Sequence, residues 1–107
     1  MKVLLDECVP RPLKFDFIGH DVDPVTEMGW SSVKNGKLLG LAVGAGFEVL
    51  ITVDQNLTHQ QNSRNFAIGG VVLIAKSNRI DDLQPLIPLA LQEMKNITAG
   101  KWVEVTI

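Results

Sequence analysis

A single cysteine, Cys8, stands among the 107 residues, so no internal disulfide staples the chain, and a reducing compartment suits it. Long apolar runs are equally scarce. None approaches the roughly 18 residues of a membrane span, and the few apolar residues before Asp6 are too short for the core of a signal peptide. Basic charge is not in excess either: 10 Lys and Arg against 12 Asp and Glu leave a net charge of −2. The broad basic surface of a non-specific nucleic-acid binder is therefore excluded. No linker, internal repeat or low-complexity tract interrupts the chain. These absences predict a cytoplasmic protein with no membrane partner, whose contact with any polyanion relies on a local basic rim or a metal ion.

What is present is the composition of a folded globule, 46% hydrophobic and 21% charged, far from that of a disordered chain. The length predicts one core and a single domain over residues 1–107. Residues 2–6, KVLLD, read as a buried strand with an acidic end. Pro10 and Pro12 mark a turn into a helix over about 12–18, with Leu13, Phe17 and Ile18 inward and Gly19 as its stop. A strand HDVDPV follows, and Val33 to Ala45 has helical spacing of Leu38, Leu39, Leu41, Ala42 and Ala45. FEVLITVD is the strongest strand by composition and ends in Asp54.

The polar stretch Asn56 to Asn65 predicts a surface helix or irregular loop. GGVVLIAK is a further buried strand. DDLQPLIPLALQEMKNI places Leu83, Leu86, Ile87, Ala90, Met94 and Ile97 on one helical face, and Asp81 with Gln84 has the spacing of a capping box. KWVEVTI alternates as a terminal edge strand does. Strands alternating with helices predict right-handed βαβ units, an α/β fold with a mostly parallel sheet covered on both faces.

Two strands end in acid, and in a parallel sheet residues just past the strand ends gather on one edge, where ligands of such folds bind. Asp6, Glu7 and Asp54 occupy that position. Carboxylates brought together repel unless a cation compensates, and hard oxygen ligands suit Mg²⁺ or Mn²⁺. The chemistry predicted is metal-assisted phosphodiester hydrolysis. A lone Asp after a strand is often no more than a helix cap or turn former; the same ending on two strands argues for a site. Neighbours in an extended strand face opposite sides, so Asp6 and Glu7 cannot share one ion, and Asp6 is the better ligand.

The segments LLDECVP, GHDV, TEMGW, KNGKLLGLA and VLITVDQNL, in this order, resemble a family of small stand-alone bacterial PIN-like domains related to the VapC-type toxin ribonucleases, over about residues 1–75. The resemblance implies a PIN-like three-layer α/β/α fold, a divalent metal, single-stranded RNA as substrate and an antitoxin protein as partner. It places the family acids on Asp6, Glu7 and Asp54. At two further positions where the family often has an acid, this chain has Asn35 and Asn56, amides that ligate more weakly.

Thr52 and Ser77 are candidate phosphate or water contacts, and Arg11, Lys14, Lys34, Lys37, Lys76 and Arg79 form a candidate rim for a phosphate backbone. Each also reads as an ordinary strand or surface residue. Trp30 suits base stacking or packing. His59 follows Asp54 by five residues on a polar segment, where a solvated role competes with the site, and His20 reads as structural. Cys8 beside carboxylates is a poor nucleophile, since they raise its pKa. The leading function is a metal-dependent ribonuclease, the toxin of a toxin–antitoxin pair; the alternative is a PIN-like binding or regulatory module without catalysis. A phosphoacceptor receiver domain shares the acids after two strands, but here no closing helix or strand-end lysine follows KWVEVTI. The apolar C-terminal half and its edge strand suit a homodimer.

Overall fold

The apolar runs KVLL, VLIT and GGVVL become parallel strands. A computed structural model describes the backbone at residues 1–59 and 61–107, with side chains at all of these except 58, 59, 61 and 62. In it β1 spans Lys2–Leu5, β2 Asp21–Pro24, β3 Val49–Thr52, β4 Gly69–Leu73 and β5 Trp102–Val105. These strands form one sheet in the order β2-β1-β3-β4-β5, parallel throughout. The expected mostly parallel sheet is thus wholly parallel, and the all-buried patterns of β3 and β4 are those of strands covered on both faces.

The helices are α1 (Asn35–Gly44), α2 (Asn56–His59), α3 (Ile80–Leu83) and α4 (Ile87–Met94). Strand alternation divides the apolar residues between two layers. Val3, Leu5, Val49 and Ile51 meet Leu13, Phe17, Leu83, Leu86, Ala90 and Met94 on one face. Leu4 and Leu50 meet Leu38, Leu39, Ala42 and Leu57 on the other. The result is a three-layer α/β/α domain. Truncating one of these fully buried leucines to alanine costs about 2–5 kcal/mol.

Proline shapes the departures from helical expectation. The segment predicted over 12–18 is a 3₁₀ helix, Arg11–Asp16, with Pro12 in its first turn. Leu13 and Phe17 are buried as expected, but Ile18 is 82% exposed. It lies beyond the helix end, in the turn at Gly19, and so belongs to no helical face. Pro85 and Pro88 lack the N–H that a continuous helix needs, so the long predicted helix divides into α3, a 3₁₀ turn Gln84–Leu86, and α4.

The capping box at Asp81 does not form. Arg79 is the N-cap residue, without a side-chain cap bond, and Gln84 Nε2 donates instead to Asp16 Oδ2 at 3.2 Å. His20 precedes β2, and its Nδ1 lies 3.3 Å from the N-terminal amine. Close approach explains Gly70, where a Cβ atom would stand 2.0 Å from Cε3 of Trp102.

The chain runs outward from β1 to β2, then crosses back to place β3 on the other side of β1. This reversal is the topological switch point, where ligands of such sheets bind at the carboxyl ends of the strands.

Candidate strand-end active site

Register decides what meets at those strand ends. Leu4 pairs with Leu50 and Leu5 with Ile51, and the backbone N–H of Asp6 donates to Ile51 O at 2.9 Å. One step on, Asp6 stands beside Thr52 rather than Asp54. The Thr52 hydroxyl donates to Asp6 Oδ2 at 2.7 Å and accepts the N–H of Asp54 at 3.0 Å. One hydroxyl therefore ties the Asp6 carboxylate to the backbone of Asp54. Thr52 is 0% exposed, so it holds the acids from behind and does not present itself to a substrate, contrary to its expected role there.

One carboxylate oxygen of each acid is organised by the loop that follows. Asp6 Oδ1 accepts the N–H of Glu7 at 2.9 Å. Asp54 Oδ1 accepts the N–H of Asn56 at 3.0 Å, at the head of α2. This is the helix-capping role that an Asp after a strand often has, here combined with the link through Thr52. Asn56 meets Asp54 through its backbone.

Glu7 lies in the turn that follows β1, which ends at Leu5, so the strand alternation expected to part it from Asp6 does not set its direction; its carboxylate has a different partner. Its Oε1 accepts the N–H of Ser32 at 2.8 Å, where Ser32 has a positive φ of 64°. Asn35 begins α1, which follows β2 and so starts on the same edge of the sheet. Lys34 is its exposed N-cap residue, and Lys37 is exposed one turn along.

Cys8 lies against the acids. Its Sγ donates to Asp6 Oδ2 at 3.5 Å and lies 3.7 Å from Thr52 Oγ1. Burial pushes the thiol above its ordinary pKa and the charge of Asp6 adds to the effect, against a lowering contact with the backbone of Val53. Near neutral pH it is a protonated hydrogen-bond donor, not a nucleophile.

The crevice beside Asp6 has a volume of about 290 Å³ and is lined by Asp6, Glu7, Cys8, Arg11, Asn78 and Arg79 among others, but not by Thr52 or Asp54. The expected basic rim is partly neutralised: Glu27 Oε2 lies 3.1 Å from Arg11 and 3.5 Å from Lys14, and Lys76 lies 3.8 Å from Asp82. Ser77 donates to Asp82 Oδ2 at 2.5 Å and accepts the N–H of Arg79, a loop-forming role in place of the expected phosphate contact. Trp30 packs edge-on against Phe47 with ring centres 6.0 Å apart, the packing alternative of the two. The His59 side chain lies outside the described residues.

Sequence reasoning missed Asn78, whose Nδ2 donates to Cys8 O at 3.4 Å across the crevice. The signal available was its place in the polar cluster just past a buried strand.

Mg²⁺ or Mn²⁺ bound through one or two carboxylates, with water completing the shell, suits this donor set. Asp54 keeps one carboxylate oxygen without a partner among the described residues, and Asp6 retains lone-pair capacity beyond its three donors. A preformed cage is a different matter: among the described residues no three of His, Cys, Asp and Glu converge as metal ligands. Comparison of the chain with protein-family models, curated proteins and solved structures returned no match.

Proposed function

We propose that the chain is a PIN-like, divalent-metal-dependent ribonuclease acting on single-stranded RNA, and within that class the toxin of a toxin–antitoxin pair. The observation that carries the reading is the Asp6–Thr52–Asp54 link at the switch point. Two carboxylates are held there by neutral donors, and among the described residues no cation lies within ion-pair distance of either. Neither carboxylate is therefore committed to an ion pair among the described residues.

Asp6 and Asp54 would hold Mg²⁺ or Mn²⁺, and Asn35 and Asn56, at the heads of the neighbouring helices, would supplement them through amide oxygens or water. When bound, such an ion supplies a water of lowered pKa and offsets charge on the leaving oxygen. The chain's own part is positional. Thr52 orients the Asp6 carboxylate and anchors the backbone of Asp54, and protonated Cys8 adds a weak donor to Asp6 without competing as a nucleophile.

A second reading, a PIN-like module that binds without cleaving, is favoured by Glu7, whose carboxylate is engaged by Ser32, and by the amides at Asn35 and Asn56. The two readings separate in one assay on labelled single-stranded RNA. With Mg²⁺ or Mn²⁺ the wild-type protein cleaves; in EDTA, or with Asp54→Asn, cleavage stops. Cleavage that persists in EDTA sinks the metallonuclease. RNA binding without cleavage in any metal establishes the binding module. Covalent labelling of Asp54 by a small phosphodonor replaces both with phosphoacceptor chemistry, for which the observed strand order is equally suited.

A further inference from the structure

The basic rim expected around the crevice contains cations in two different states. Arg11 and Lys14 share Glu27, and Lys76 faces Asp82, so a phosphate entering there competes with a carboxylate already in place. Arg79 also lines the crevice with Asp6. Its side chain is exposed, and among the described residues it has no ion-pair partner.

The base of Arg79 is fixed at the same time. Its N–H donates to Ser77 Oγ at 3.1 Å, and its carbonyl accepts the N–H groups of Asp82 and Leu83 at 3.0 and 3.1 Å. The preceding residue, Asn78, bridges to the backbone of Cys8 at 3.4 Å, tying the loop after β4 to the loop after β1. Asp82, whose backbone N–H already bonds the Arg79 carbonyl, has its carboxylate occupied by Ser77 and Lys76. A guanidinium on a pinned backbone, facing a crevice that holds carboxylates, has the planar fork that takes two phosphate oxygens. It also supplies positive charge where an anionic strand must approach Asp6.

We propose that the Ser77–Arg79 turn is the phosphate-seating wall of the crevice, with Arg79 receiving a backbone phosphate of a single RNA strand laid across Asp6. The inference rests on the ribonuclease reading for its ligand class, and binding is measured separately from cleavage so that the two fail separately. Asn78 is a positioning residue that keeps the wall against the Asp6 loop. Arg11 contributes less, because Glu27 already holds it.

The test is equilibrium binding of a fluorescent single-stranded RNA by anisotropy, in EDTA and in Ca²⁺, over a series of salt concentrations. Arg79→Gln is expected to weaken binding by about 10-fold at low salt and to reduce the slope of log affinity against log salt by about 1. Arg79→Lys recovers part of the affinity, since it restores charge but not the fork. Lys101→Gln removes the same charge just before β5, at the opposite edge of the sheet, and leaves binding unchanged. Where metal-dependent cleavage is present, Arg79→Gln raises KM with kcat nearly unchanged.

Wild-type binding that Arg79→Gln leaves intact overturns the phosphate-seating wall while leaving the nuclease reading standing. So does equal loss in Arg79→Gln and Lys101→Gln, which reports only net charge. No binding of the strand in either condition also overturns the wall, and the cleavage assay then decides the nuclease reading alone. Thermal melts of the variants matching wild type confirm that the fold is unchanged.

Discussion

The two edges of the sheet hold their charged residues differently. At the edge where the strands begin, charged side chains fasten the backbone. Lys2 Nζ donates to Ala45 O at 2.6 Å and lies 4.7 Å from the centre of the Phe47 ring, and Glu48 Oε1 accepts the Lys2 N–H at 3.0 Å. Backbone pairs between Glu48 and Lys2, Gly69 and Glu48, and Gly70 and Lys101 close that edge further. At the edge where the strands end, Asp6 and Asp54 are held by a hydroxyl, a thiol and backbone N–H groups. Carboxylates thus fasten backbone N–H groups at both edges, and at the strand ends Asp6 and Asp54 do so with no ion-pair partner among the described residues. The loops after β1, β2 and β4 leave a crevice beside Asp6, whereas residues at the opposite edge meet across short backbone contacts.

The contrast is broken most severely by Thr52→Val, which removes the hydroxyl joining the Asp6 carboxylate to the backbone of Asp54. It leaves the Asp54 N–H without its acceptor and Asp6 without its strongest donor, at a cost of about 1.5–3 kcal/mol in urea unfolding. Metal-dependent cleavage is expected to fall at least about 10-fold, equivalent to about 1.4 kcal/mol in the barrier. Thr52→Ser keeps both bonds and retains most of the activity. A valine variant as active as wild type removes the hydroxyl link from the mechanism.

Gly70→Ala tests the other edge. Its Cβ atom meets the Trp102 ring, and overpacking of this kind costs about 1–3 kcal/mol. Stability is expected to drop while cleavage per folded molecule stays the same, the reverse balance to a change confined to the acids. Loss of activity without loss of stability contradicts the division between the edges.

The smallest effect belongs to Cys8. Burial and Asp6 raise its pKa in the folded state, so between the unfolded and folded values the native chain holds a proton that the unfolded chain has released. Its contribution to stability is fully present below the unfolded thiol value, about 8.5, and is lost as pH rises through the folded one. Cys8→Ala therefore loses stability less steeply than wild type above that pH, measured by urea midpoints. Identical slopes contradict the raised pKa.

Much of this architecture was legible in the chain. The apolar runs ending in Asp6 and Asp54 marked β1 and β3, and the alternation of strand and helix implied the parallel sheet. The separation of Glu7 from Asp6 was expected from strand alternation, but β1 ends at Leu5 and it is the Ser32 N–H that engages Glu7. Other features depended on partners distant in sequence. Thr52 read as a strand former or a substrate contact, because nothing local reveals that residue 6 will stand beside it. The rim looked uniformly basic until Glu27 reached Arg11 and Lys14. Ile18 looked like a helical core residue until the proline-bearing segment ended two residues before it.

By itself, then, the sequence determined the element order, the two apolar layers and the placement of acids at strand ends, since periodicity and strand polarity are properties of the local chain. Tertiary structure alone decided which groups touch: the register that joins Asp6 to Thr52, the carboxylates that neutralise some rim cations, and the turn that leaves Arg79 facing the crevice. Register and ion pairing are set by packing between residues distant along the chain. No local pattern encodes them.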